Sequence, residues 1–136
     1  MRHITSIFIV AILFVSILFS ACGKDEKINP PDNPGFEGNF VSAAHTTSGI
    51  ASIDSSETVL TLTNFKTDSG PDLNIYIVSS INNVTSDFID LGDIKGVNGN
   101  YTYVLPGNKD YTAYKYVVVW CVDFNVNFGY AELEKQ

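Results

Sequence analysis

The segment from Tyr114 to Leu133 constrains the fold more than any other part of the chain. One face of an extended Tyr114–Cys121 segment would carry Tyr, Tyr, Val and Trp, and the other face would carry Lys, Val, Val and Cys. A strand that is apolar on both faces is typical of the middle of a sheet that is covered on both sides. The segment therefore predicts a central strand that ends at Cys121.

The segment after Asp123 alternates between apolar and polar residues. We expect the apolar set to share one face and the asparagines to face water: Phe124, Val126, Phe128 and Tyr130 against Asn125 and Asn127. This period of two predicts a half-buried strand. Val122-Asp123 does not match the residues that favour two-residue hairpin turns, so the pairing of this strand with the preceding one is left open.

The remainder of the chain beyond Phe36 also has β character, and no stretch has a helical period. Six further strands are predicted, at residues 39–44, 49–53, 58–64, 73–78, 88–91 and 101–105. Within the third of these, Leu60, Leu62 and Asn64 are expected on one face and Phe65 on the other. Short strands separated by Gly, Pro, Asn and Asp turns predict an all-β fold: a single antiparallel β-sandwich or barrel-like domain of about eight strands.

The first 21 residues have the pattern of a secretory signal peptide. Arg2 and His3 precede an apolar run from Ile4 to Phe19, although a retained membrane anchor would also fit this pattern. The sequence FSAC, which ends at Cys22, resembles the lipobox of bacterial lipoproteins. The resemblance implies that Cys22 is lipidated, with acyl chains such as palmitate, and becomes the first residue of the mature protein.

Residues 22–35 are predicted to be a tether, and residues 36–136 the folded domain. The tether is polar and contains Pro30, Pro31 and Pro34, a composition that favours a semi-extended linker. Gly23 to Glu26 resembles the signal that directs some lipoproteins to the outer face of the outer membrane, or is simply a solvated charge cluster. We expect the protein to be an outer membrane lipoprotein of the cell envelope. Exposure on the cell surface is compatible with this location.

Composition excludes several functions. Residues 22–136 carry seven Lys against fifteen Asp or Glu, which leaves a net charge of −8 and argues against a nucleic-acid partner. The expected membrane contact is the lipid on Cys22. Beyond the leader the chain has one His and no Met, which excludes a blue-copper centre and a Cys/His zinc site, so no metal site is predicted. No nucleophile-elbow pattern surrounds His45, and a conventional enzyme is not expected.

Cys121 and His45 are the candidate site residues, and each has a structural alternative. If Cys22 is lipidated, Cys121 has no disulfide partner in the chain. It is then either a small buried apolar residue with an inert thiol or an accessible reactive thiol. His45 is either a polar residue at a strand end or a functional imidazole. Haem requires only one axial ligand, so either residue could serve, although the sequence requires no cofactor. Asp68 and Asp72 could offer calcium ligands, or belong to a tight turn.

A series of short motifs resembles the DM-thirteen domain, known as the electron-transfer DM domain, which often accompanies DOMON domains in animal proteins. The resemblance covers Phe36 to Leu133 and rests on GNF (38–40), AHTTSG (44–49), LTLTNF (60–65), GPDL (70–73), LGDIKG (91–96), GNYTY (99–103) and VWC (119–121) followed by residues 124–133. It implies a β-rich domain with a role in redox chemistry or electron transfer. The residue that matches the signature Cys of the family is Cys121, as a bare thiol or as a ligand to a group such as haem.

Two hypotheses from different classes follow. The first is an envelope lipoprotein whose domain passes electrons, or undergoes thiol redox chemistry with an unidentified partner protein, through Cys121. The second is a non-catalytic surface module that binds a glycan or a protein through its loops, with Cys121 as part of the core.

Overall fold

The computed structural model describes residues 28–136, which form nine β-strands and no helix. The strands are β1 (Pro34–Ser42), β2 (Thr47–Asp54), β3 (Val59–Thr67), β4 (Leu73–Val78), β5 (Phe88–Asp93), β6 (Asn98–Val104), β7 (Tyr116–Cys121), β8 (Val126–Glu132) and β9 (Glu134–Lys135). All eight predicted strands are present, with ends that shift by a few residues.

The strands form one antiparallel, nearly closed barrel-like sheet, as the turn spacing predicts. Their order is β5-β4-β7-β8-β1-β2-β3-β6, and the short β9 pairs with β1. At the seam between β5 and β6, Lys95 donates its backbone N–H to the Tyr103 hydroxyl across 3.1 Å. The interior is filled by aliphatic and aromatic side chains from every long strand. The all-β, barrel-like prediction is confirmed.

The predicted central strand is β7, which lies between β4 and β8. Its inward residues, Val117, Val119 and Cys121, belong to the main core. On the outer face Val118 and Trp120 pack against a second apolar cluster that includes residues of the β4–β5 loop. Both faces of the strand are therefore covered, which explains why its sequence is apolar at every position.

The predicted alternation along β3 fails after Leu62. Asn64 adopts a positive φ of 50° and is exposed, and the pairing of β3 with β6 shifts between Leu62 and Phe65. Asn tolerates this left-handed conformation better than most residues. The bulge turns Phe65 into the core beside Leu60, whereas the sequence pattern placed it on the opposite face.

The predicted alternation along β8 is wrong at both ends. Phe124 lies in the β7–β8 turn and is 69% exposed. The register with β7 also shifts, because Val119 pairs with Gly129 while Trp120 pairs with Asn127. This bulge places Phe128 in the main core and Tyr130 in the outer cluster. The two strands do form a hairpin, through the longer turn 122–125.

The β2–β3 turn, at the end of the barrel away from Cys121, is held by Asp54. Its Oδ1 accepts the backbone N–H groups of Thr58 (2.8 Å) and Val59 (2.7 Å), and its Oδ2 accepts the hydroxyls of Thr58 and Ser56. Desolvation raises the pKa of Asp54, but these hydrogen bonds outweigh it and bring the pKa to about 2.

The predicted leader (residues 1–21), Cys22 and the first part of the tether lie outside the described residues. Within residues 28–136, no helix is long and apolar enough to cross a membrane.

Candidate functional site

Four connections meet at the end of the barrel where Cys121 lies. Because neighbouring strands are antiparallel, the β1–β2 (43–46), β3–β4 (68–72), β5–β6 (94–97) and β7–β8 (122–125) connections all emerge there. We call this the Cys121 end. It contains both candidate residues, Cys121 and His45, together with the GPDL motif.

The β3–β4 loop joins the other three connections. Asp68 donates its N–H to the Thr46 carbonyl at 3.2 Å, and the Asp72 carbonyl accepts the Val122 N–H at 2.9 Å. Just beyond the loop, the Leu73 carbonyl accepts the Ile94 N–H at 2.8 Å. A change in the conformation of this loop would therefore affect the whole Cys121 end.

Cys121 is completely buried. It is a free cysteine with 0% exposure, and its side chain belongs to the main core. Leu73 lies directly opposite on β4 and is 5% exposed. Residues that are opposite in an antiparallel pair share a face, so the Leu73 and Cys121 side chains are neighbours. In the closed structure the thiol is inaccessible to a reagent in solution.

Gly70 allows the β3–β4 loop to lie directly on the side chains beneath it. A Cβ at this position would lie 2.8 Å from Leu73 Cδ2 and 2.9 Å from Phe128 Cζ. Contacts this short require a neighbour to move, so a glycine is the residue that fits without a shift. The loop therefore packs on Leu73, the cross-strand neighbour of Cys121, and we call the loop and Leu73 together the cover.

A cavity of about 330 Å³ lies beside this cover. It is lined by residues 69–73, Asp93, Ile94 and Val97. This volume is at the small end of the range of about 300–1,000 Å³ that is typical of ligand pockets. Leu73 lines the cavity and is also the cross-strand neighbour of Cys121, which does not itself line the cavity.

His45 lies at the same end of the barrel, but its contacts are with Asp68 and Phe128 rather than with Cys121. Its Nδ1 is 3.4 Å from Asp68 Oδ2, and its ring stacks on Phe128 with the centroids 3.8 Å apart. The side chain is 42% exposed. The His45 imidazole lies on the surface, stacked on a ring and paired with a carboxylate, whereas the Cys121 thiol is enclosed in the core. The two groups do not offer a shared coordination position. The two residues do not fit as joint ligands of a haem.

Asp68 and Asp72, the possible calcium ligands, make contacts with different parts of the protein. Asp68 Oδ2 accepts the Thr46 N–H at 3.2 Å and pairs with His45, whereas Asp72 contributes its carbonyl to the β7–β8 turn. Among residues 28–136 no group of three or more His, Cys, Asp or Glu side chains is arranged to hold a metal ion. The contacts of both aspartates instead join the β3–β4 loop to the β1–β2 and β7–β8 connections.

Three residues of this end were not identified as site residues from the sequence: Leu73, Phe128 and Gly70. Leu73 and Phe128 have the pattern of ordinary core residues. Gly70 was part of a recognised turn signal, but only the structure shows what the turn covers.

A family model described as Electron transfer DM13 matches residues 39–133. The chain belongs to the electron transfer DM13 family. The match extends from β1 to the end of β8 and includes Cys121, His45 and the β3–β4 loop. Membership in the DM13 family indicates a role related to redox chemistry or electron transfer. No curated protein and no solved structure matches the chain significantly.

Proposed function

We propose that this DM13 domain is the redox component of a lipid-anchored envelope protein and that the Cys121 thiol is its reacting group. The observation that carries the proposal is the position of Cys121. It lies at the end of the central strand, directly opposite Leu73, on which the β3–β4 loop packs and which also lines the cavity. In this proposal, displacement of Leu73 brings the thiol into contact with solvent.

Burial makes this a gated thiol. Local opening of loops costs less free energy than global unfolding, so a buried group near a loop reacts through brief openings of the native protein. Here the opening would lift the β3–β4 loop and swing Leu73 away from Cys121. The remainder of the core, including Val117 and Val119, would stay packed.

The chemistry is a two-electron oxidation of the thiol. In the open form the Cys121 thiolate attacks a hydroperoxide, an S–O bond forms and the O–O bond breaks. The alkoxide or hydroxide that leaves takes up the proton that the thiol lost. Cys121 is oxidised to a sulfenic acid, and the peroxide is reduced to an alcohol or water. With a partner disulfide the same attack forms a mixed disulfide and releases one partner thiol.

The anchor is part of the same proposal. The lipobox-like FSAC sequence supports lipidation at Cys22, and the part of the predicted tether that precedes β1, with Pro30 and Pro31, would hold the domain away from the membrane. Metabolic incorporation of labelled palmitate that is lost in Cys22→Ser would support the anchor. Equal incorporation into both proteins would contradict it.

The redox role can be tested with the chain that carries Cys22→Ser, in which Cys121 is the only thiol. The folded protein is exposed to hydrogen peroxide or to a small disulfide, and the product at Cys121 is identified by mass spectrometry. We expect oxidation at a rate well above that of global unfolding. Cys121→Ala should abolish it, and Ala is preferable to Ser because a buried hydroxyl without a partner costs about 1–3 kcal/mol.

The second candidate function is a non-catalytic binding module, and the complete burial of Cys121 favours it. In that case Cys121 is a core residue and its oxidation would require unfolding. A folded protein that resists both oxidants would support the binding module and refute the redox proposal.

A further inference from the structure

The Cys121 end exposes apolar side chains that a folded domain usually buries. Phe124 is 69% exposed and Val122 is 37% exposed, and both lie in the turn directly after Cys121. Val97, which is 38% exposed, lines the cavity beside Leu73. Val97 in the cavity wall, and Val122, whose N–H donates to the carbonyl of the lining residue Asp72, place exposed apolar side chains next to the cavity. Such a combination is characteristic of a surface that contacts another molecule.

Carboxylates occur at the same end of the barrel as these apolar side chains. Asp72 and Asp93 line the cavity, and Asp68 and Asp123 belong to the β3–β4 and β7–β8 connections. Lys95 is the single Lys or Arg in the four connections at this end. Apolar and acidic side chains that occur together at one end of the barrel have the composition of a protein docking surface, in which the charged residues set the partner and the orientation.

Within residues 28–136, Lys95 forms no salt bridge with these carboxylates. Its ammonium group donates to the Thr102 carbonyl of β6 and lies 4.8 Å from the centroid of the Tyr103 ring. Of the residues that line the cavity, Asp72 and Asp93 carry a charge, and both are acidic. The local potential therefore favours a positively charged occupant.

We infer that the Cys121 end docks a basic segment of a partner protein that presents a disulfide, with Lys or Arg side chains next to that disulfide. The cavity can receive one such side chain between Asp72 and Asp93, while the apolar turn contacts the neighbouring residues. This inference rests on the proposed redox function and names its partner class.

The reaction at this surface is thiol–disulfide exchange. The Cys121 thiolate attacks one sulfur of the partner disulfide, a new S–S bond forms and the old S–S bond breaks. The leaving sulfur departs as a thiolate and takes up the proton that Cys121 lost. Cys121 is oxidised to a mixed disulfide, and the partner is left with one free thiol.

The test uses three short peptides whose single Cys is activated as a disulfide with 5-thio-2-nitrobenzoate, flanked by Lys, Ser or Glu. Release of the coloured thiolate by the Cys22→Ser protein reports exchange at Cys121. At low ionic strength we expect the Lys peptide to react on the order of tenfold faster than the Glu peptide. The ratio should approach one at about 1 M salt, where the Debye length is about 3 Å.

Two pairs of substitutions localise the effect. Asp72→Asn with Asp93→Asn should reduce the ratio between the Lys and Glu peptides. The matched pair Asp87→Asn with Asp110→Asn, in loops at the opposite end of the barrel, should leave the ratio unchanged. Equal rates for all three peptides at low salt would overturn the docking inference and leave the redox function standing. No release from the folded protein with any peptide would overturn both.

Discussion

Replacing Leu73 with Ala tests whether the cover over Cys121 opens locally. Leu73 is 5% exposed and lies directly opposite Cys121. Loss of a buried Leu side chain costs about 3 kcal/mol, within a range of roughly 2–5. If the Leu73 side chain has already left the core in the open, reactive form, its removal destabilises only the closed form, in which it is buried. Opening then becomes roughly 100-fold more frequent, because about 1.4 kcal/mol corresponds to tenfold.

Leu60→Ala is the matched control. Leu60 has 0% exposure, belongs to the same core and lies near the end of β3 that is distant from Cys121. Its loss should lower global stability by a similar amount but should leave local opening at Leu73 unchanged. The assay is the rate of labelling of Cys121 by a neutral maleimide, beside the free energy of unfolding in urea. If opening is local, we expect fast labelling in Leu73→Ala only. Equal acceleration in two variants of equal stability would show that labelling proceeds through global unfolding and would refute local opening.

Three further predictions concern the fold. Asp54→Asn should lower stability at pH 7 by about 1 kcal/mol, a value that allows for solvent screening. The pKa of Asp54 is about 2 in the folded protein, whereas its ordinary value is 3.8. The contribution of Asp54 to stability is therefore present above pH 3.8 and disappears as the pH falls towards 2. The urea unfolding curves of the original protein and the variant should converge in acid. Thr63→Val should stabilise the protein by about 1 kcal/mol, because the buried Thr63 hydroxyl has no hydrogen-bond partner. Thr67→Val should destabilise it, because the substitution breaks the buried 3.1 Å hydrogen bond between the Thr67 and Thr47 hydroxyls. A stability change in the same direction in both variants would contradict this prediction. Gly38→Ala should prevent stable folding, because its Cβ would overlap the Glu132 carbonyl, while Gly107→Ala, with open space around it, should leave the melting temperature unchanged.

The sequence was sufficient to predict the strands and their covered or half-covered character, because the period of two survives wherever a strand is regular. It failed where a bulge changes the period. Asn64 and the Phe128–Gly129 step each shift the register, and Phe65 and Tyr130 consequently lie on faces that strict alternation does not allow. A bulge depends on the pairing of two strands that are distant in sequence, so it is not visible in either strand alone.

For the site, the sequence identified Cys121 as the residue to examine but left its environment open. Burial of the thiol depends on Leu73, which is 48 residues earlier in the chain and becomes its neighbour only through the β4–β7 pairing. The same holds for His45, whose contacts with Asp68 and Phe128 follow from the meeting of the β1–β2 and β3–β4 loops with strand β8. Such long-range contacts are set by topology rather than by local pattern.

The most direct test of the account is the rate at which Cys121 of the Cys22→Ser protein is labelled as urea is raised from zero. We predict labelling in the absence of urea that is much faster than global unfolding allows. Its rate should depend only weakly on urea, because lifting one loop exposes little surface. A rate that rises with urea as steeply as the global unfolding equilibrium would mean that the thiol reacts only in the unfolded chain, and it would contradict the assignment of Cys121 as the redox group.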